Sequence, residues 1–262
     1  MDHPLLYAIG DVHGRADLLA GLLDAIDVDA RRAGAEPGVM FLGDIIDRGP
    51  DSFDALELVG ETLKRWPSSR LLLGNHDDAL LSFFKGDSLG GDWFGIWLGQ
   101  GGRETLLSYG VDPDDPKDAR RMMRGRHDDH RQILQAASLM EIDTDFAFVH
   151  AGINPNRSLD SQTRRDCLNI RSRFMNHVGR LERIVIHGHT PQRPPRAVAT
   201  ENRISLDTGA YFSDVLTALV VDSRTRRIET IATSPGCSTL RGSPDRLDRG
   251  FGTAIELFRG AA

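Results

Sequence analysis

Apolar positions in the first third of the chain fall into short runs, each followed by a longer stretch of helical spacing. The runs are residues 5–9, 39–42 and 71–73. Behind them come Leu18, Leu19, Leu22, Leu23 and Ile26, then Leu56, Val59, Leu63 and Trp66, then Leu80, Leu81 and Phe84. Spacings of three and four place such residues on one helix face. The pattern predicts strand, polar loop and helix three times over, an α/β fold with a largely parallel sheet. Short apolar runs return at 146–149, 184–186, 204–206, 215–221 and 228–232. The last of these are close together with no long helix between them, which predicts an antiparallel second sheet. Residues 85–145 differ, with Gly90-Gly91, a glycine-rich stretch at 99–102, a Pro/Asp-rich turn at 112–116 and a charged run at 117–131. They read as an insertion of short helices over the sheet edge, with Arg120, Arg121 and Arg126 on a solvated face. No linker interrupts the pattern, so residues 1–262 read as one domain. The tail beyond Pro235, rich in Gly, Arg and Asp, reads as loosely held.

Composition narrows the function classes. A chain of 262 residues can bury a core without staples. Its net charge of −6 gives no general attraction to nucleic acid or to an anionic membrane, so neither is expected as a partner. A phosphorylated substrate would need local positive charge, from metal or from a few arginines. Cys167 and Cys237 form neither a disulfide framework nor a zinc motif, and a reducing cytoplasm is the simplest compartment. The N-terminus lacks the pattern of a signal peptide, and no apolar run approaches the roughly 18 residues of a membrane span.

The chemistry lies where the runs stop. Asp11 and His13 follow the first at i and i+2, which in extended backbone points both to one side, a pairing that suits a divalent transition metal. Asp44 ends the second run, Asn75 and His76 the third, His150 the fourth, and His187 and His189 the fifth. Singly, each has a plain structural reading. Asp44 or Asp47 could cap the next helix, Asn75 could sit in a turn, and a lone histidine is more often packed in a core. Five successive runs that each stop at a potential ligand outweigh those readings. Neighbouring glycines let backbone and side chains approach closely. One carboxylate shared by two cations, with N and O ligands on both sides, describes a binuclear centre with ions roughly 3.5–4 Å apart, suited to in-line displacement at phosphorus. His3, His127, His130 and His177 lack such context and read as surface residues. Gly86-Asp87-Ser88-Leu89-Gly90 fits a serine-hydrolase elbow, which needs a strand before it; residues 79–84 read as helix, leaving Ser88 a distant alternative.

Taken together, Gly10-Asp11-Val12-His13-Gly14, Gly43-Asp44-Ile45-Ile46-Asp47-Arg48-Gly49, Gly74-Asn75-His76-Asp77, His150-Ala151-Gly152 and Gly188-His189-Thr190-Pro191 resemble the calcineurin-like metallophosphoesterases. More narrowly they resemble the phosphoprotein phosphatase branch in its bacterial and phage form, to whose last motif Leu206-Asp207-Thr208-Gly209-Ala210 is similar. The resemblance implies a four-layer αββα sandwich of two mixed sheets. It implies two divalent metal ions, Mn first, with Fe, Zn or Co as alternatives. Asp11 and His13 would bind one ion, Asp44 would bridge, and Asn75, His150 and His189 would bind the other. His76 would protonate the leaving group, supported by Asp47. Arg48 would hold phosphate oxygens, with Arg171, or its rival Arg173, as a second phosphate-binding arginine. Asp77 replaces the Glu usual in eukaryotic members, and Leu73 stands where many protein phosphatases have Arg. His187 is additional and reads as a structural neighbour rather than a ligand. Pro191 replaces a further histidine of nuclease-type relatives. The implied reaction is phosphomonoester hydrolysis by direct attack of a metal-activated water. The substrate expected first is phosphoserine or phosphothreonine in protein, because Asp47-Arg48-Gly49 and Gly188-His189-Thr190 are both kept. The alternative is a small phosphoester, by symmetrical bis(5'-nucleosyl)-tetraphosphatase or other nucleotide phosphohydrolase activity. A catalytically dead binding module on the same fold is opposed by the complete ligand set and His76. The sequence carries no signal for an oligomeric state.

Overall fold

Strand β1 (Leu5–Ile9) is buried at all its positions, and its alternation assigns its two faces to different cores. Leu5, Tyr7 and Ile9 face helices, whereas Leu6 and Ala8 face a second sheet. The computed structural model describes residues 4–86, 92–225, 227–234 and 237–242. After β1, helix α1 (Ala16–Ala33) crosses over to β2 (Gly38–Phe41) and α2 (Ser52–Arg65) to β3 (Arg70–Leu71), giving three parallel strands. Helix α1 buries Leu19, Leu22 and Ile26, carries Asp17 in its first turn and Arg31 and Arg32 in its last, and stops at Gly34 in the left-handed region. Helix α3 (Asn75–Lys85) starts on the third polar motif.

The chain continues through short helices α4 (Trp93–Trp97), α5 (Arg103–Ser108), α6 (Pro116–Arg126) and α7 (Asp128–Ala136). They contribute Trp97, Leu106, Met123 and Leu134 to the core that holds α1 and α2. Arg121, Arg124 and Arg126 are exposed on α6. Strands β4 (Met140–Ile142) and β5 (Phe146–Val149) follow, then α8 (Arg164–Asn169), α9 (Ser172–Met175), β6 (Ile184–His187), β7 (Val198–Ala199), β8 (Arg203–Ser205), α10 (Ala210–Ser213), β9 (Thr217–Asp222), β10 (Arg227–Ser234) and β11 (Cys237–Gly242).

The second sheet is not the antiparallel one expected. Its order is β4-β5-β6-β8-β7, with β5, β6 and β8 parallel and antiparallel edges. The C-terminal strands instead extend the first sheet, in the order β11-β10-β9-β1-β2-β3. Strand β2 occupies one edge of β1, and a buried strand cannot leave its other edge unpaired. Strand β9, buried at all six positions, closes it in the register Leu5↔Asp222 to Ile9↔Ala218. Leu6, Met40, Leu42, Phe148, Ile186 and Ile204 pack between the sheets, while Cys167 and Phe174 of α8 and α9 cover the outer face of the second. Helices, sheet, sheet and helices make the four-layer sandwich. Replacing Phe148, fully buried between the sheets, with Ala is expected to cost about 3–5 kcal/mol in a urea melt. A loss below about 1 kcal/mol would contradict this packing.

His130 is not a surface residue. It lies on the buried face of α7 with Leu134 one turn on, and its ring nitrogens meet Tyr109 Oη at 2.6 Å and Glu57 Oε1 at 2.9 Å. Ser88, His3 and the tail from 243 lie outside the described residues. The element before Ser88 is helix α3, where a nucleophile elbow needs a strand. No helix among the described residues is long and apolar enough to cross a membrane.

Candidate metal centre

Six parallel strands from two sheets, β1, β2, β3, β5, β6 and β8, direct their carboxyl ends to one place. In open α/β sheets that edge is where sites form. Asp11 and His13 follow β1, Asp44 follows β2, and Asn75 and His76 open α3. His150 follows β5, His189 follows β6 and Asp207 follows β8. The backbone is bent to aim them. His13, Asp44, Asp47, Arg48 and His189 have φ of 48°, 51°, 72°, 72° and 65°. Among the described residues one other non-glycine, Asp214, does so. Strain of this kind concentrates at functional sites because the surrounding packing must hold it.

Asp44 is the common member of two donor clusters, one with His13 and His76 and one with His150 and His189. Its Oδ2 lies 3.7 Å from His13 Nε2 and 3.4 Å from His150 Nε2. Asn75 Oδ1 and His189 Nδ1 lie 3.1 and 3.2 Å from the same His150 nitrogen. Asp11 Oδ2 lies 3.9 Å from His13 Nε2, and the Asp11 carboxylate accepts the His189 backbone N–H.

Three observations fit this donor set to divalent cations. His13 and His150 each turn Nδ1 to a backbone carbonyl, of Ile46 and Leu42 at 2.9 Å, which leaves Nε2 as the lone-pair atom facing the carboxylates. His150 Nε2 and His189 Nδ1 face each other, and buried His189 Nε2 has no partner. Burial and the neighbouring charges of Asp207 and Asp44 push the Asp11 carboxyl well above the usual range. Asp207 rises to about 6, chiefly through burial, with Asp44 adding to it. Three buried carboxylates with histidine lone pairs among them form a concentration of acceptors that a cation relieves. Burial lowers His13 to about 3 and His189 to about 2, so both rings are neutral and able to ligate at neutral pH.

Beside this centre stands a second arrangement. His76 Nδ1 donates to Asp47 Oδ2 at 2.7 Å, and Asp47 is fully buried. Two residues of the 85–145 segment fix that carboxylate: Trp97 Nε1 donates to Oδ2 at 2.9 Å and Thr105 Oγ1 to Oδ1 at 2.6 Å. Burial lowers the proton affinity of His76, but Asp44 and Asp47 outweigh it and the net shift is upward. The Arg48 guanidinium donates to His13 Nε2 at 3.0 Å and His76 Nε2 at 3.1 Å, bridging the two arrangements. Asp77 accepts the N–H groups of Ile45 and Gly74, both at 3.0 Å, and so ties the loops after β2 and β3 together.

A cavity of about 590 Å³ opens over these groups, lined by Arg48, Asn75, His76, Arg171, His189 and Tyr211 among others. Arg171 therefore faces the centre, whereas Arg173 lines a neighbouring cavity. His187 uses both ring nitrogens elsewhere, on Gly188 O and Ser205 Oγ. The sequence reading missed Thr105, Trp97 and Tyr211, and left Asp207 unassigned. Tyr211 packs edge-on to His13 and under the Arg48 guanidinium at 4.9 Å. Its only sequence signal was its place after the motif at 206–210.

Glycines make room for the loops. A Cβ on Gly188 would collide with the Asp11 carboxylate, and one on Gly74 with Asp44. Gly188→Ala is expected to weaken metal binding by about 10–100-fold, the range for disturbed supporting contacts, as measured by metal titration. Unchanged affinity would show that the Asp11 position is not needed.

A binuclear-type donor set on this sandwich defines a class of phosphoester hydrolase. Residues 5–193 match the calcineurin-like phosphoesterase family model, and the chain belongs to that family. The symmetrical bis(5'-nucleosyl)-tetraphosphatase of Enterobacter sp. (strain 638) is 32% identical over 165 residues, 62% of this chain and 47% of the relative. That of Cellvibrio japonicus is 33% identical over 156 residues, 59% of this chain and 47% of the relative. The chain thus spans about half the length of these curated relatives. A solved chain described as a candidate diadenosine tetraphosphatase shares the fold with a TM-score of 0.53 and 20% identity, covering 91% of this chain and 94% of that one. The cold-active protein-tyrosine phosphatase of a psychrophilic Shewanella sp. does so at 0.56 and 15%, covering 92% and 80%.

These relatives overturn the expectation of a serine/threonine protein phosphatase. The reason is physical. Asp47-Arg48-Gly49 and Gly188-His189-Thr190 surround the centre where one phosphoryl group would react, so keeping them says nothing about what that group is attached to. Leu73, buried in the core where many protein phosphatases carry Arg, was the better signal.

Proposed function

We propose that this chain hydrolyses dinucleoside tetraphosphates symmetrically, with two divalent cations, Mn foremost, at the centre around Asp44. The named relatives, aligned at 32–33% identity, carry this reading, and the donor geometry supports it. Asp11, His13 and Asp44 would hold one cation, and Asp44, Asn75, His150 and His189 the other. When bound, the cations would acidify a water and offset charge on the phosphoryl oxygens.

The protein's own groups do the rest. Arg48 sits where it can leave the two imidazoles and grip two oxygens of the reacting phosphoryl group. Arg171 lines the same cavity. The water oxygen bonds to one central phosphorus while the bond from that phosphorus to the bridging oxygen breaks. The bridging oxygen leaves with the other half and takes a proton from His76. One substrate and one water thus give two nucleoside diphosphates. Asp47 keeps the imidazole oriented and favours its protonated form. His76 must carry its proton to act, so activity should persist below its raised pKa and fall as pH rises through it.

Product analysis tests the reading. Diadenosine tetraphosphate is expected to give ADP alone on anion-exchange separation. Equal amounts of AMP and ATP would show asymmetric cleavage and refute it.

A further inference from the structure

The chain is acidic overall, with a net charge of −6, yet one face is built the other way. Beside the catalytic cavity lies a second cavity of about 520 Å³, lined by Arg157, Arg165, Arg171 and Arg173 with Asn154 and Asn169. Its single lining carboxylate, Asp166, is already committed. It caps α8 through Thr163 and pairs with Arg157 at 3.4 Å. Among the described residues no carboxylate forms an ion pair with Arg165, Arg171 or Arg173. Asp166 feels the charge of Arg173 as well as of Arg157, so one carboxylate faces four guanidinium groups around this hollow, an excess of positive charge that favours an anion.

The cationic face is backed by packed side chains. Cys167 and Leu168 of α8 and Phe174 of α9 are buried beneath it, and Arg171 is the hinge residue between the two helices. The two cavities are neighbours, with Asn169 and Arg171 lining both. Arg171 is also close enough to His189 to lower its proton affinity. A chain of phosphates whose reacting member sits at the metal centre would pass Arg171 and run on into this basin.

From this shared arginine and the arginine-rich lining beyond it we infer that Arg157, Arg165 and Arg173 form a polyphosphate subsite, which holds the phosphates beyond the one under attack. The inference rests on the reading of the catalytic cavity given above and deepens it. Bidentate guanidinium contacts suit non-bridging phosphate oxygens. A small aryl phosphomonoester carries no further phosphate to place there, so the basin separates polyphosphate substrates from such monoesters.

The test uses the metal-loaded enzyme and the double variant Arg165→Gln/Arg173→Gln, neither residue lying in the catalytic cavity. KM for diadenosine tetraphosphate is expected to rise about tenfold or more, the effect of losing one charge-assisted hydrogen bond, while kcat/KM for 4-nitrophenyl phosphate stays within about twofold. Inhibition of the aryl phosphate reaction by inorganic tripolyphosphate, at fixed free metal, should weaken in parallel. The double Lys variant should recover part of both effects. Equal losses on both substrates, or an unchanged tripolyphosphate inhibition constant, would overturn the subsite. If the wild type does not cleave the tetraphosphate, yet tripolyphosphate inhibits it and the double variant resists, the subsite stands and the proposed substrate falls.

Discussion

Asp44→Asn is expected to release both metal ions and to abolish turnover. Asn has nearly the same shape, and its side-chain oxygen can still accept the His76 N–H that Asp44 Oδ1 accepts at 2.9 Å. The loop should therefore keep its course. What disappears is the negative charge that faces His13 on one side and His150 on the other. Burial opposes that charge, yet His150 and His76 hold the carboxyl well below its usual range, so the ionised form is the one the site is built around. Metal stabilisation of the transition state is worth several kcal/mol, so turnover should fall about 10³-fold or more. Mass spectrometry of the desalted protein reads metal per chain. A variant that kept two ions and full activity would remove Asp44 from its bridging place.

His76→Asn should behave differently. Asn cannot donate a proton to a leaving oxygen at neutral pH, so turnover should drop by about 10²–10⁴-fold, the usual contribution of a positioned general acid. Metal content should stay near normal, because the cluster of Asp44, His150 and His189 contains no His76 atom and the other ion is assigned to Asp11, His13 and Asp44, although His76 stands beside it. The loss should shrink as the leaving group becomes less basic, and the alkaline fall in the pH–rate profile should vanish. Loss of both ions, or a loss independent of leaving group, would contradict the assignment.

Much of the metal centre could be read from the sequence because strand ends write ligands next to apolar runs. Asp11, Asp44, His150 and His189 each follow directly on such a run, and the fold had only to bring the runs together. Residues that act across the chain left weaker traces. Trp97 and Thr105 reach Asp47 from 50 and 58 positions away, out of a stretch whose apolar pattern is broken by glycines. The placement of β9 was also hidden, since its apolar run suits either sheet and the choice was made by the open edge of β1. The preference for a phosphoprotein failed for a related reason. The motifs near the centre describe one phosphoryl group, whereas Arg165 lies in unremarkable sequence and Arg173 read only as a rival to Arg171, and α8 and α9 bring them together.

A metal-dependent centre that acts on a dinucleoside polyphosphate should reveal itself in kcat/KM for diadenosine tetraphosphate and for a phosphoserine peptide, each before chelation, after chelation, and after Mn is restored. Activity should be dominated by the tetraphosphate, lost on chelation and recovered with Mn. Activity that survives chelation would rule out the metal-dependent centre, and a kcat/KM greater for the phosphopeptide would rule out the dinucleoside polyphosphate as substrate.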